Sequence, residues 1–74
     1  MTQRISFNMK EKIIQLAEQF GYSIFFERPN SLIRFKRDER MVDVWYSTMT
    51  VGIYENGTQK FYKNVDLQDL SEYL

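Results

Sequence analysis

The sequence predicts an α+β fold for a single domain, residues 1–74. An apolar stripe at helical spacing stands near the start of the chain, and a period-two alternation of apolar and polar residues follows it. An Asn-Gly pair, typical of tight hairpin turns, lies between two later segments. We therefore expect a small, mainly antiparallel sheet of three to four strands, with the elements in the order α-β-β-β-β-α.

The first predicted element is a helix over residues 9–20. Its apolar residues recur at spacings of three and four and form one stripe: Met9, Ile13, Leu16, Ala17 and Phe20. Asn8, with Glu11 three residues later, has the pattern of an N-terminal capping box. Gly21 stands where a left-handed C-terminal cap belongs, so we expect the helix to end there.

Strand patterns follow the helix and are separated by turn residues. The run Ile24-Phe25-Phe26 predicts the strand Tyr22–Glu27, with a segment continuous with the helix exit as the alternative. Alternation predicts the strands Leu32–Arg37, Met41–Ser47 and Met49–Tyr54. Pro29-Asn30 ends the first strand, and the charged run from Arg37 to Arg40 is a predicted turn between the second and third strands. The alternation places one apolar set on a shared face of the sheet: Ile33, Phe35, Val42, Val44, Val51 and Ile53.

Asn56-Gly57 is the strongest local pattern, because both residue types tolerate the positive φ of a two-residue hairpin turn. This turn sets a register with four predicted pairs: Val51 with Tyr62, Gly52 with Phe61, Ile53 with Lys60, and Tyr54 with Gln59. Directly paired residues share a face of the sheet. The turn therefore predicts which face each aromatic residue occupies.

A second helix is predicted to begin at Asp66, which is a good N-cap residue. Asp69 suits the first helical turn, and Val65 and Leu70 stand at the two positions of a hydrophobic staple. We expect the buried side of this helix to carry Leu67, Leu70 and Leu74.

The chain contains no histidine and no cysteine, which removes the usual general base, thiolate nucleophile and soft metal ligands. Asp66, Asp69 and Glu72 lie three residues apart and would share one side of the last helix. A divalent-cation site is one interpretation of them, and a solvated helix face is the preferred one. We therefore expect no enzymatic activity, no cofactor and no metal.

The charges balance over the whole chain but are divided along it. Residues 1–40 carry eight Lys or Arg against five Asp or Glu, whereas residues 41–74 carry two against five. A net charge of zero argues against bulk capture of nucleic acid or anionic membrane. The basic run from Arg34 to Arg40 is interpreted as an edge strand and turn kept soluble by charge, with contact to an acidic partner as the alternative.

Neither a signal peptide nor an acylation motif stands at the N-terminus, and no apolar run is long enough for a membrane span. We expect a cytoplasmic protein without a membrane partner.

Six aromatic and basic residues share the sheet face opposite the apolar set: Arg34, Lys36, Trp45, Tyr54, Phe61 and Lys63. Aromatic rings interleaved with cations on an open sheet can grip single-stranded nucleic acid. Trp, Tyr and Arg are equally the favoured anchors of protein interfaces. Asp43 lies on this face and would oppose phosphate. A second core layer beneath the last helix would give the same pattern.

Two segments, residues 42–52 and 58–67, resemble a group of small uncharacterised reading frames that share a strand-turn-strand followed by a short helix. Met49 stands where that group has a turn glycine, and the group's basic tail has no counterpart here. The resemblance implies no activity.

These patterns together favour a small non-enzymatic binding protein whose partner is a larger protein. An inhibitor-type accessory protein of phage or mobile-element character is the expected type. A single-stranded nucleic-acid-binding module that uses the aromatic and basic face is the alternative. An enzyme that depends on carboxylates alone is the third class.

Overall fold

The computed structural model describes the backbone of residues 5–74 and the side chains of residues 9–74. Two helices flank five consecutive strands: α1 (Ile5–Gln19), β1 (Ser23–Arg28), β2 (Leu32–Arg37), β3 (Arg40–Trp45), β4 (Thr50–Glu55), β5 (Thr58–Lys63) and α2 (Leu67–Leu70). Each strand pairs antiparallel with the next, which gives the sheet order β1-β2-β3-β4-β5. The α+β class is confirmed. The sheet has five strands instead of the predicted three to four, because the return arm of the Asn56 hairpin is itself a full strand.

Helix α1 begins at Ile5, before the predicted start. Asn8 therefore lies inside the helix and does not cap it, so the predicted capping box is wrong. Neither glycine nor proline occurs among residues 5–8 to interrupt the helical backbone. Residues 1–4, on which much of the signal-peptide prediction depends, lie outside the described residues.

The C-terminus of α1 is closed by the glycine cap that the sequence predicts. Gly21 has a φ of +89°. Its N–H donates to the carbonyl oxygen of Glu18 at 3.0 Å, and the N–H of Tyr22 donates to that of Ala17 at 3.0 Å. These two bonds form a Schellman motif. The motif turns the chain into β1 while Ala17 and Tyr22 are both buried in the core.

The core lies on one face of the sheet, which we call the inner face. Its buried members come from both helices, from the inner sides of the central strands and from the connections next to the helices: Ile13, Ala17, Tyr22, Ile33, Phe35, Val42, Val44, Val51, Val65 and Leu70. The ring centroids of Tyr62 on β5 and Tyr73 after α2 lie 4.6 Å apart. In the described part of the chain, both helices thus pack against the inner face, and neither covers the opposite one, which we call the outer face.

The β3–β4 connection is longer than predicted, since the predicted strands end at Ser47 and begin again at Met49. The strands end at Trp45 and resume at Thr50, which leaves a four-residue loop. Met49 in this loop has a φ of +58°, the left-handed conformation for which glycine is better suited. Its carbonyl oxygen accepts a hydrogen bond from the N–H of Val65 at 3.0 Å, so the loop also anchors the segment that leads into α2.

The basic run from Arg34 to Arg40 is not an edge strand, because β2 pairs with β1 on one side and β3 on the other. Arg37 and Arg40 lie directly opposite each other, an arrangement that is unfavourable unless each charge has its own partner. Arg37 Nη1 donates to the carbonyl oxygen of Phe20 at 2.6 Å, at the end of α1. Its guanidinium lies 4.5 Å from the ring centroid of Tyr22.

Arg40 contacts the C-terminal segment that follows α2. Its Nη2 donates to the carbonyl oxygen of Tyr73 at 2.6 Å, and its Nη1 lies 3.5 Å from a carboxylate oxygen of Glu55. The two opposed arginines therefore hold the end of α1 and the segment after α2 to the sheet.

Helix α2 begins as predicted. Asp66 is its N-cap, and a side-chain oxygen of Asp66 accepts a hydrogen bond from the N–H of Asp69 at 3.3 Å. Val65 and Leu70, the two residues of the predicted staple, are both buried in the core. The helix has a single turn, Leu67–Leu70.

The Asn56-Gly57 hairpin and its register are confirmed. The φ angles are +55° at Asn56 and +77° at Gly57, and all four predicted cross-strand pairs are present. The other turn residues with positive φ include Asn30, Asp38 and Asn64, types that tolerate this conformation better than most.

Replacing Phe35 by alanine is expected to lower the free energy of unfolding by about 3–5 kcal/mol, because it leaves a cavity at a fully buried position. Tyr54→Ala is the control, since Tyr54 is 47% exposed, and it should change stability little. Urea unfolding followed by circular dichroism measures both. Equal midpoints for the two variants would show that the core is assigned to the wrong residues.

Replacing Gly57 by valine is expected to lower the free energy of unfolding by about 1–2 kcal/mol, since a β-branched residue is strained at positive φ. An added Cβ at Gly57 meets nothing within 4 Å, so the cost comes from the backbone alone. Gly57→Asn should cost less, because asparagine tolerates this conformation. Thermal unfolding of the two variants beside the parent measures the difference, and equal losses would contradict the backbone explanation.

Candidate functional site

The strand pairing places all six residues of the predicted aromatic and basic surface on the outer face: Arg34, Lys36, Trp45, Tyr54, Phe61 and Lys63. They belong to three parallel cross-strand rows. The middle row runs from Arg34 through Asp43 and Gly52 to Phe61. Because directly opposed residues share a face, this row lies on the outer face as a whole.

Gly52 allows two aromatic rings to meet on the outer face. The ring centroids of Trp45 and Phe61 lie 5.9 Å apart at an interplanar angle of 49°. A Cβ on Gly52 would lie 3.0 Å from an atom of each ring, so any larger residue would push the rings away. Sequence reasoning assigned no role to Gly52. A glycine inside a strand and opposite a phenylalanine is the pattern that could have revealed it.

Arg34 and Asp43 form a bidentate ion pair in the middle of the outer face. Arg34 Nε donates to Asp43 Oδ1 at 2.6 Å, and Arg34 Nη2 donates to Asp43 Oδ2 at 2.9 Å. The hydrogen bonds to the Asp43 carboxylate raise the pKa of the Arg34 guanidinium above its ordinary value. The sequence placed Asp43 on this face, but it did not predict that Asp43, only 6% exposed, neutralises Arg34.

A groove of about 280 Å³ lies beside this ion pair. Six residues line it: Arg34, Met41, Asp43, Gly52, Tyr54 and Gln59. Tyr54 is 47% exposed at its rim, and Phe61, in the neighbouring row, is 54% exposed. The outer face thus combines an aromatic ridge formed by Trp45 and Phe61 with a polar groove next to it.

Strand β1 adds residues to the outer face that sequence reasoning missed. Phe26 lies opposite Arg34 and is 45% exposed, and Arg28 lies opposite Leu32. A bulge between Ile24 and Phe26 shifts the register of β1, so simple alternation does not predict which residues share the outer face.

The outer face is positively charged at its strand positions. It carries four cations, Arg28, Arg34, Lys36 and Lys63, against the single carboxylate of Asp43, a difference of three positive charges. Lys36 Nζ donates to the carbonyl oxygen of Asp38 at 3.0 Å. Lys36 and Lys63 stand in different cross-strand rows, on either side of the row that contains Asp43.

Asp66 caps the N-terminus of α2, and Asp69 lies in its first turn. The hydrogen bond to the Asp66 side chain, together with that carboxylate's charge, raises the pKa of Asp69. Among the residues that the structure describes, no group of three or more His, Cys, Asp or Glu side chains is placed to hold a metal ion.

Replacing Arg34 by methionine is expected to lower the free energy of unfolding by about 1–3 kcal/mol, because the buried Asp43 carboxylate then lacks its guanidinium. This is less than the loss for a fully buried pair, since the Arg34 side chain is 36% exposed and solvent screens its charge. The measurement is urea unfolding at neutral pH.

The double variant Arg34→Met with Asp43→Leu should regain much of this stability, because both charges are removed together. Lys36→Met, which removes an exposed cation from the same strand, is the control. If Arg34→Met proves as stable as Lys36→Met, the ion pair contributes nothing measurable to the fold.

Comparison with protein-family models found no match to this chain, and comparisons with curated proteins and with solved structures found none either. No helix in the described residues is both long and apolar enough to cross a membrane. Function is therefore inferred from the residues of the outer face alone.

Proposed function

We propose that this protein is a non-enzymatic binding protein whose outer face docks onto a larger protein. The observation that carries this proposal is a sheet face with exposed aromatic residues that no element of the described chain covers. Tyr54 and Phe61 are 47% and 54% exposed there, while both helices pack on the inner face. Apolar surface of this kind, rimmed by polar groups, is typical of interaction sites on small proteins.

The partner surface that fits best is acidic around an apolar centre. Phe61 and Trp45 form a ridge that can enter an apolar depression, and Tyr54 adds a ring with a hydroxyl group beside the groove. The surrounding cations exceed the carboxylates by three at the strand positions of this face. Complementary charge at the rim would speed association and select the orientation.

A protein partner is favoured over single-stranded nucleic acid by the distribution of charge. A single strand needs a continuous track of cations for its phosphates, with rings that stack its bases. Here the Asp43 carboxylate lies in the middle of the face and accepts two hydrogen bonds from the Arg34 guanidinium. Lys36 and Lys63 lie on opposite sides of that carboxylate, and the chain as a whole carries no net charge.

The proposal extends to the type of protein. A chain of 74 residues without histidine or cysteine is suited to blocking a site on its partner instead of transforming it chemically. We place it among inhibitor-type accessory proteins of phage or mobile elements, which act by occupying a surface of a larger host protein.

A photo-crosslinking phenylalanine analogue at position 61 is expected to form a covalent adduct with a protein when the full chain is irradiated in its host cell. The adduct yield should fall at high salt in lysate, because salt screens the charges at the rim. The cross-linked segment of the partner, identified by mass spectrometry, should be acidic. Tyr54→Ala in the same chain should reduce the yield, since Tyr54 belongs to the same surface.

The control is the same analogue at position 18, where Glu18 is exposed on α1, away from the outer face. Equal adducts at both positions would refute the outer face as the docking surface. A nuclease-sensitive adduct would support nucleic acid instead. The same alternative is tested by titrating the fluorescence of Trp45, the single tryptophan, with poly-pyrimidine strands at two salt concentrations. Tight, salt-sensitive quenching would overturn the proposal.

A further inference from the structure

Strand β1 forms one edge of the sheet, and its free side faces no other strand of the described chain. All six of its side chains are exposed, whereas each of the other four strands has at least one buried or half-buried side chain. The free side of an edge strand presents backbone N–H and C=O groups that are ready to pair with another strand.

Strand β1 also exposes large apolar side chains. It carries three of the six large hydrophobic side chains that are exposed among the described residues: Ile24 at 43%, Phe25 at 58% and Phe26 at 45%. Phe25 lies at the bulge, outside the regular pairing of β1 with β2, and is the most exposed of the six. Surface of this composition at a sheet edge favours association.

The two edge strands, β1 and β5, differ in the charged side chains that discourage pairing with another chain. Strand β5 carries Lys60 and Lys63, and lysine on an edge strand discourages pairing with another chain. The centre of β1, from Ile24 to Phe26, is uncharged, and its two charged residues, Glu27 and Arg28, stand at one end of the strand. Glu27 forms an ion pair with Lys10 of α1.

We propose that β1 pairs antiparallel with β1 of a second copy of this chain, about a twofold axis perpendicular to the sheet. The uncharged centre of β1 allows two copies to approach with their charged ends apart. The outer face, with its excess of three positive charges, and the β5 edge, with its two lysines, both repel their own copies. Charge thus selects β1 as the self-complementary surface of this molecule.

The assembly closes as a dimer. Each copy has one edge strand without lysine, and an isologous pair uses both of them, so no lysine-free edge is left to extend into a fibre. The pairing gives the backbone groups of each β1 a hydrogen-bond partner and covers Ile24, Phe25 and Phe26 with their counterparts. It joins two five-stranded sheets into one continuous sheet.

A twofold axis perpendicular to the sheet keeps the two outer faces on the same side. The dimer therefore presents two copies of the outer face side by side, and a partner with two matching sites would gain from bivalent binding. This consequence rests on the proposed function, whereas the dimer itself does not.

Sedimentation velocity of the full chain, from low micromolar to near-millimolar concentration, tests the dimer without any partner. The parent is expected to sediment as a concentration-dependent dimer. Phe25→Lys should raise the dimer dissociation constant by more than about tenfold, because it places a charge at the centre of the interface. The matched control is Phe61→Lys on the outer face, where Phe61 has nearly the same exposure, and it should leave dimerisation unchanged.

Hydrogen exchange in the parent gives a second readout that does not depend on a folded variant. Amides of β1 should exchange more slowly as the concentration rises, while those of β5 should not change. A monomer throughout the concentration range would overturn the proposal. So would a dimer that survives Phe25→Lys, one that is lost with Phe61→Lys, or β1 exchange that is independent of concentration.

Discussion

The constraint on which the described structure depends is that both of its helices pack on the same face of the sheet. Both helices are needed to bury the inner face around Phe35, Val42 and Val51, and α2 has only a single turn. A domain of this size buries a smaller share of its surface than a larger one does. Among the described residues, no element covers the outer face or the free side of β1, and these are the two regions on which the proposals are based.

The outer face is stabilised by means other than a covering layer. The Arg34 guanidinium satisfies the buried Asp43 carboxylate, and the Trp45 and Phe61 rings cover the backbone at Gly52. Each arrangement leaves part of its side chains in contact with solvent. A face built in this way is ordered before binding, which reduces the conformational entropy that a partner must remove.

Much of the fold is predictable from the sequence because short-range geometry decides it. Positive φ at Gly21 ends α1, and positive φ at Asn56 and Gly57 sets the β4–β5 register. The start of α1 was not predictable from Asn8, because a capping pattern can equally lie within a longer helix. The extent of β1 was close to the prediction, but the bulge at Phe25, which assigns Phe26 to the outer face, was not.

By itself the sequence determined the α+β class, the closure of α1, the start of α2 and the shared face of the six aromatic and basic residues, whereas the predicted order of elements lacked the fifth strand. All of these follow from residue periodicity and from local turn geometry. Only the tertiary structure decided that both helices lie on the inner face, that Arg34 meets Asp43, and that β1 remains a free edge. These features depend on contacts between residues distant in the chain, and no local pattern encodes which of the competing pairings buries the most apolar surface.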